Sequence, residues 1–163
     1  MRRPAILLVM ASVAGAASTA APARACSVAG PGPYAIDASM QATDHVAPTL
    51  PPMSVTRLRR GEKTTGCMTV NTCDGLGSLA ISAAPTDDVT PATDIGYRFS
   101  LVAGALPPSF YILLDEPSRA VVSDGQIWFD WSDGTDDHQP IDFTLRVVAI
   151  DRAGNESAPQ MCA

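Results

Sequence analysis

Carboxylates crowd two stretches of this chain. Asp130, Asp133, Asp136, Asp137 and Asp142 fall together, and Asp87, Asp88 and Asp94 form a second set upstream. Dense carboxylates suggest a hard cation such as calcium, which is held by oxygen ligands alone. An EF-hand loop alternates such ligands ahead of an invariant glycine; Trp131-Ser132-Asp133-Gly134 lacks that spacing. The first crowd therefore reads as a solvated acidic loop with Asp-Gly turn chemistry.

Catalytic constellations are not assembled in the sequence. A serine triad needs a histidine near a serine and an aspartate, but His45 lies in a Pro-rich stretch and His138 in the acidic turn. No Gly-x-Ser-x-Gly elbow occurs. Gly75-Leu76-Gly77 lacks the third glycine and the helix of a dinucleotide site. Nothing selects two of the many aspartates as a glycosidase pair. The chain is expected to be no enzyme and to need no cofactor.

Cys26, Cys67, Cys73 and Cys162 are even in number. No Cys-x-x-Cys pair exists, so disulfides are expected rather than a zinc site. That agrees with the N-terminus. Arg2 and Arg3 precede an apolar run from Ala5 to Ala17, and Ala23-Arg24-Ala25 offers a small-x-small cleavage pattern. Residues 1–25 thus read as a secretory signal. The run is too short to span a bilayer and no second one follows, so no membrane span is expected. Cleavage would leave Cys26 first, as in a lipoprotein. Ala23 and the charged Arg24 break the lipobox pattern, so ordinary cleavage is expected and the protein is secreted or periplasmic.

Removing Arg2, Arg3 and Arg24 with the signal leaves 8 basic residues against 17 acidic ones, a net charge of −9. Such a chain repels phosphate backbones and anionic membranes, which argues against nucleic-acid partners.

The elements that must position these groups read as strands. Residues 26–52 carry many prolines and glycines and suggest an extended, partly disordered lead-in. From 53 to 163, short alternating apolar runs are separated by Pro, Gly and Asp clusters, the pattern of an all-β sandwich. Met53 and Val55 open a first strand, ending near Arg60. Leu79, Ile81 and Ala83 alternate in a second, and Tyr97, Phe99 and Leu101 in a third. Phe110–Leu114 suggests a short fourth. Ile127, Phe129 and Trp131 face inward from a fifth, with Trp128 outward. Ile141, Phe143, Leu145, Val147 and Ala149 form the clearest, a sixth. No window after the signal keeps a helical period.

The stretch Phe143-Thr-Leu-Arg-Val-Val-Ala-Ile-Asp-Arg-Ala-Gly-Asn-Glu-Ser-Ala-Pro159 resembles the penultimate strand and final hairpin of fibronectin type III and related immunoglobulin-like domains. Pro85-Thr-Asp-Asp-Val-Thr-Pro-Ala-Thr-Asp-Ile-Gly-Tyr-Arg98 is similar to their loop into the third strand, and Thr43-Asp44-His45-Val46-Ala47-Pro48 to their lead-in. The core Trp of the second strand is replaced near Ala83, the corner Tyr by Phe143, and the last strand is cut to Pro159–Ala163.

The resemblance implies an immunoglobulin-like antiparallel sandwich with a truncated last strand. Its topology puts the loop holding Asp87, Asp88 and Asp94 at the same end as Asp151, Asn155 and Glu156. Asp87, Asp88, Asp94 and Asp151 are accordingly the metal candidates. Asn155-Glu156-Ser157 matches a glycosylation sequon but is also that hairpin. The same topology places Cys162 near this end, with the lead-in holding Cys26, and Cys67 and Cys73 at the other. It implies Cys26–Cys162 and Cys67–Cys73 disulfides. Such domains are mostly spacers and binding modules, which implies a protein or cell-envelope partner. The competing expectation is a small calcium-dependent or hydrolytic protein using its acidic loops.

Overall fold

A computed structural model describes residues 30–61, 75–133, 138 and 140–163. The signal, residues 1–25, lies outside the described residues, as do Cys26, Cys67, Cys73, Asp136 and Asp137. Among the described residues the chain is all-β apart from one 3-10 turn at Ala92–Asp94. No helix there is long and apolar enough to cross a membrane.

The strands are β1 (Gly32–Pro33), β2 (Val55–Arg59), β3 (Leu76–Ser82), β4 (Gly96–Ala105), β5 (Ser118–Arg119), β6 (Val121–Ser123), β7 (Gln126–Ser132), β8 (Asp142–Ile150) and β9 (Gln160–Cys162). They form two antiparallel sheets, one ordered β1-β5-β4-β8-β9 and the other β2-β3-β7-β6. Alternation explains the packing. Side chains two apart share a face, so Leu79 and Ile81 of β3 lie in register with Phe129 and Ile127 of β7, all four buried. Opposite them stand Tyr97 and Phe99 of β4 with Leu145, Val147 and Ala149 of β8. The Phe99 and Phe129 rings meet edge-on at 5.3 Å, closing the two sheets into a sandwich. Each Val, Leu, Ile or Phe among them contributes about 1.5–3 kcal/mol by leaving water.

Trp128 faces outward, as its parity requires. Across the second sheet, Arg57, Ala80, Trp128 and Val121 fall on one row of paired positions. The Arg57 guanidinium lies 5.8 Å over the Trp128 ring. Together they cover Ala80, which is fully buried on that outer face.

Three local features depart from the sequence expectations. Phe110–Leu114 forms no strand; only an isolated parallel bridge joins Leu114 to Phe99. Five consecutive apolar or aromatic residues offer no period-2 alternation, and Ser109 and Asp115 on either side turn the chain with positive φ of 61° and 62°. Phe110 instead plugs the core, its ring 5.4 Å from Phe129 and 5.5 Å from Phe143. The sequence reasoning also missed the β6–β7 hairpin. Asp124 and Gly125 have φ of 53° and 71°, the pair a type I′ turn demands.

The third departure concerns the last strand. β9 runs antiparallel to β8 and ends with Cys162 opposite Leu145, five positions below Ile150. Cys162 is therefore well down the sheet, not near the end where Gly154 turns, because the chain descends through Gln160 and Met161 before reaching it. Among the described residues no disulfide forms, and Cys162 is buried.

Ahead of β2, single positions of an otherwise largely exposed segment pack on the sandwich. Leu50 joins the core at 4% exposure. Gly96 packs so closely on Tyr34 that an added Cβ would sit 2.5 Å from the ring.

Candidate metal centre

Three segments meet at the end of the sandwich where β3 and β8 finish and β4 begins. They are the stretch before β2, the β3–β4 loop and the β8–β9 loop. Main-chain bonds stitch them together. Thr49 and Thr86 exchange N–H···O bonds of 2.8 and 3.0 Å, and the Asp37 N–H donates to the Arg152 carbonyl at 2.7 Å. The Thr90 hydroxyl accepts from the Arg152 N–H at 3.2 Å.

This stitching brings Asp44, Asp87 and Asp151 together. One carboxylate oxygen from each lies within 4.8 Å of the others. Asp151 is fully buried and Asp44 is 3% exposed. Each carboxylate is aimed by local bonds. Asp44 Oδ1 accepts from the Val46 N–H at 3.2 Å. Asp87 Oδ2 accepts from the N–H groups of Val89 and Thr90 at 3.1 and 2.6 Å. Asn155 holds Asp151 from two sides, its backbone N–H reaching Oδ1 and its Nδ2 reaching Oδ2, both at 2.8 Å. The same Nδ2 donates to the carbonyl of Asp44 at 3.2 Å. The sequon asparagine is thus engaged inside the site.

Two oxygens are left over. Asp44 Oδ2 and Asp87 Oδ1 are buried and, among the described residues, accept no hydrogen bond. Uncompensated buried carboxylate oxygens are costly. Three negative charges this close repel by about 3 kcal/mol per pair at an effective dielectric near 20. Two arginines of this end are engaged elsewhere, Arg152 with Asp37 at 3.0 Å and Arg98 with Glu156 at 2.7 Å, and Arg119, also at this end, forms no ion pair with the three carboxylates among the described residues. The field is felt by Tyr34, whose hydroxyl is pushed up to about 12, first by burial and then by the charge of Asp151. An all-oxygen, anionic, partly bare donor set suits a hard cation and not zinc, which prefers nitrogen and sulfur.

Of the four metal candidates in the sequence, Asp87 and Asp151 converge. Asp88 is exposed, and Asp94 lies in the 3-10 turn, where its carbonyl accepts from the Tyr34 hydroxyl at 3.0 Å. Neither joins the group. Asp44 was missed as a ligand, although its Asp-x-x-Ala-Pro lead-in was the signal that could have found it.

At the opposite end, Asp133 is not a solvated turn residue. Its carboxylate accepts from Arg60 Nε and Nη2 at 2.7 and 2.9 Å and from the Gly61 N–H at 2.7 Å. The Arg60 bonds hold its carboxyl down to about 2, against the opposing effect of burial. His138 is used structurally, Nε2 lying 2.7 Å from the Asp133 carbonyl. Burial pushes the Cys162 thiol up, away from the thiolate a nucleophile needs.

No family model, no curated protein and no solved structure matches this chain.

Proposed function

We propose that this chain is an exported immunoglobulin-like module, of the fibronectin type III kind, that acts by binding or by spacing other components and not by catalysis. It is secreted or periplasmic in this reading, two disulfides stabilise it, and its partner is a protein or another component of the cell envelope. The two-sheet architecture and the Val-x-Ala-x-Asp-x-Ala-Gly-Asn hairpin sequence support the family. The export signal and the even cysteine count support the compartment.

One observation carries the binding role. Ile36, Val46 and Val89 are 44%, 54% and 52% exposed, and all three lie on the segments gathered around the carboxylate cluster. Large aliphatic side chains on the loops at one end of a sandwich are the material of a contact surface. Site-specific photo-crosslinking in intact cells tests this. A crosslinker at Val46 or Val89 is expected to capture a discrete adduct, while one at Leu101, on β4, captures none. Equal labelling at all three positions, or none at any, refutes the reading.

A further inference from the structure

We propose that Asp44, Asp87 and Asp151 bind one calcium ion, and that the ion clamps the segment before β2 onto the loops that follow β3 and β8. The inference stands apart from the partner reading above, since it needs only the three carboxylates.

The geometry is that of a shared ion. Calcium binds oxygen at about 2.3–2.6 Å, so any two of its ligands lie within roughly 5 Å of each other. The three carboxylate oxygens meet that limit, all lying within 4.8 Å. The second observation is independent of the clustering. Asp44 is more than nine-tenths buried, at 3% exposure, yet its Oδ2 has no partner among the described residues; Asp87 is half-buried, and its buried Oδ1 likewise lacks one. Hydrogen bonds hold the other oxygen of each in place, leaving the bare one free to coordinate. A protein-derived cation would do the same work, but Arg152 and Arg98 pair with Asp37 and Glu156, and among the described residues no arginine forms an ion pair with the three carboxylates.

Calcium fits better than magnesium. Three loop-borne carboxylates, each able to bind through one or two oxygens, suit calcium's variable geometry; magnesium demands a strict octahedron and keeps its waters. The ligands also come from three separate segments. Asp44 alone belongs to the stretch before β2, so an ion adds metal–oxygen bonds to the hydrogen bonds that already join that stretch to the sandwich.

The experiment uses the exported protein, stripped with chelator and then melted with and without calcium chloride at matched ionic strength. Calorimetric titration runs in parallel. One calcium ion per chain is expected. At a hundredfold excess over Kd, Tm should rise by roughly 8–12 °C. Asp44→Asn and Asp87→Asn should lose the calcium-dependent shift. In chelator they should melt at or above the wild type, since each removes one charge from the cluster while an amide oxygen keeps the loop bond. That inverted sign separates a ligand from a merely structural aspartate, whose loss lowers Tm in both conditions. Absence of a binding isotherm and of a Tm shift in the wild type overturns the proposal. So does a full calcium shift retained by Asp87→Asn, or an equal shift produced by sodium chloride.

Discussion

Replacing Asp133 by asparagine should cost stability in a way that depends on pH with a defined sign. The carboxylate sits at 6% exposure between Arg60 and the Gly61 N–H, and its pKa falls from 3.8 to about 2 on folding. A depressed acid contributes stability above its unfolded pKa and loses it as pH falls through the folded one. A drop of nearly two units corresponds to about 2 kcal/mol at pH 7. Arg60 is 30% exposed, which keeps the figure near that value and below the cost of breaking a fully buried pair. For a domain of this size the loss should lower Tm by about 6–10 °C. The assay is a set of paired melts of wild type and Asp133→Asn from pH 7 to pH 2. The gap should be full at pH 7 and unchanged at pH 6. It should fall to about half near pH 3 and to a small fraction by pH 2, where the wild-type carboxyl is half protonated in the folded chain and almost fully protonated in the unfolded one. A gap at pH 7 below about 1 °C, or one that persists undiminished at pH 2, would refute the reasoning, because it would mean the charge on Asp133 is not what holds Arg60.

Three further outcomes are expected. Gly77→Ala should destabilise by about 1–3 kcal/mol in urea titration, since the new Cβ would sit 2.2 Å from the indole of Trp131, itself 1% exposed and unable to yield. Leu50→Ala should cost about 2–5 kcal/mol in the same titration, because Leu50 is part of the core; no measurable loss would refute that placement. Thiol titration of the exported, unreduced protein in denaturant should find no free cysteine; two or more reactive thiols would remove the disulfide framework.

The sandwich was legible because its long strands alternate. Phe143, Leu145, Val147 and Ala149 declare one face of β8 by their spacing alone, and Ile127, Phe129 and Trp131 declare one face of β7 in the same way. What failed was where alternation stops. Phe110–Leu114 is apolar at every position, so composition suggests a strand while nothing specifies a face. Cys162 failed for a different reason. A three-residue strand has no pattern to fix its register, and the register determines which cysteines it can reach. Opposite Leu145, on the far edge from β1, Cys162 stands about 25 Å diagonally from Gly32, from the strand spacing and rise. Six residues from Cys26 to Gly32 extend at most about 21 Å, and a disulfide adds about 6 Å. A Cys26–Cys162 bond therefore requires a nearly straight chain, so peptide mapping of the unreduced protein is a test of the path taken by the N-terminus as much as of the bond.

The acidic end shows why a ligand set can be half visible. Asp87 and Asp151 came to attention because each stands in a loop that the topology sends to the same end. Asp44 belongs to a third segment, and its side chain reaches the cluster only through pairings such as Thr49 with Thr86 and Asn155 with the Asp44 carbonyl, the latter spanning 111 positions in the chain. Nothing local reports such a separation. Nor were turn residue and ligand true alternatives. The bond from the Thr90 N–H that makes Asp87 a loop residue occupies one carboxylate oxygen, and by fixing it leaves the other buried and bare. Asp88, one position on, has no such bond among the described residues and stays at the surface. The turn is what leaves one oxygen of this carboxylate buried and without a hydrogen bond, so the Asp-rich loop between β3 and β4 and the site are one feature of the fold.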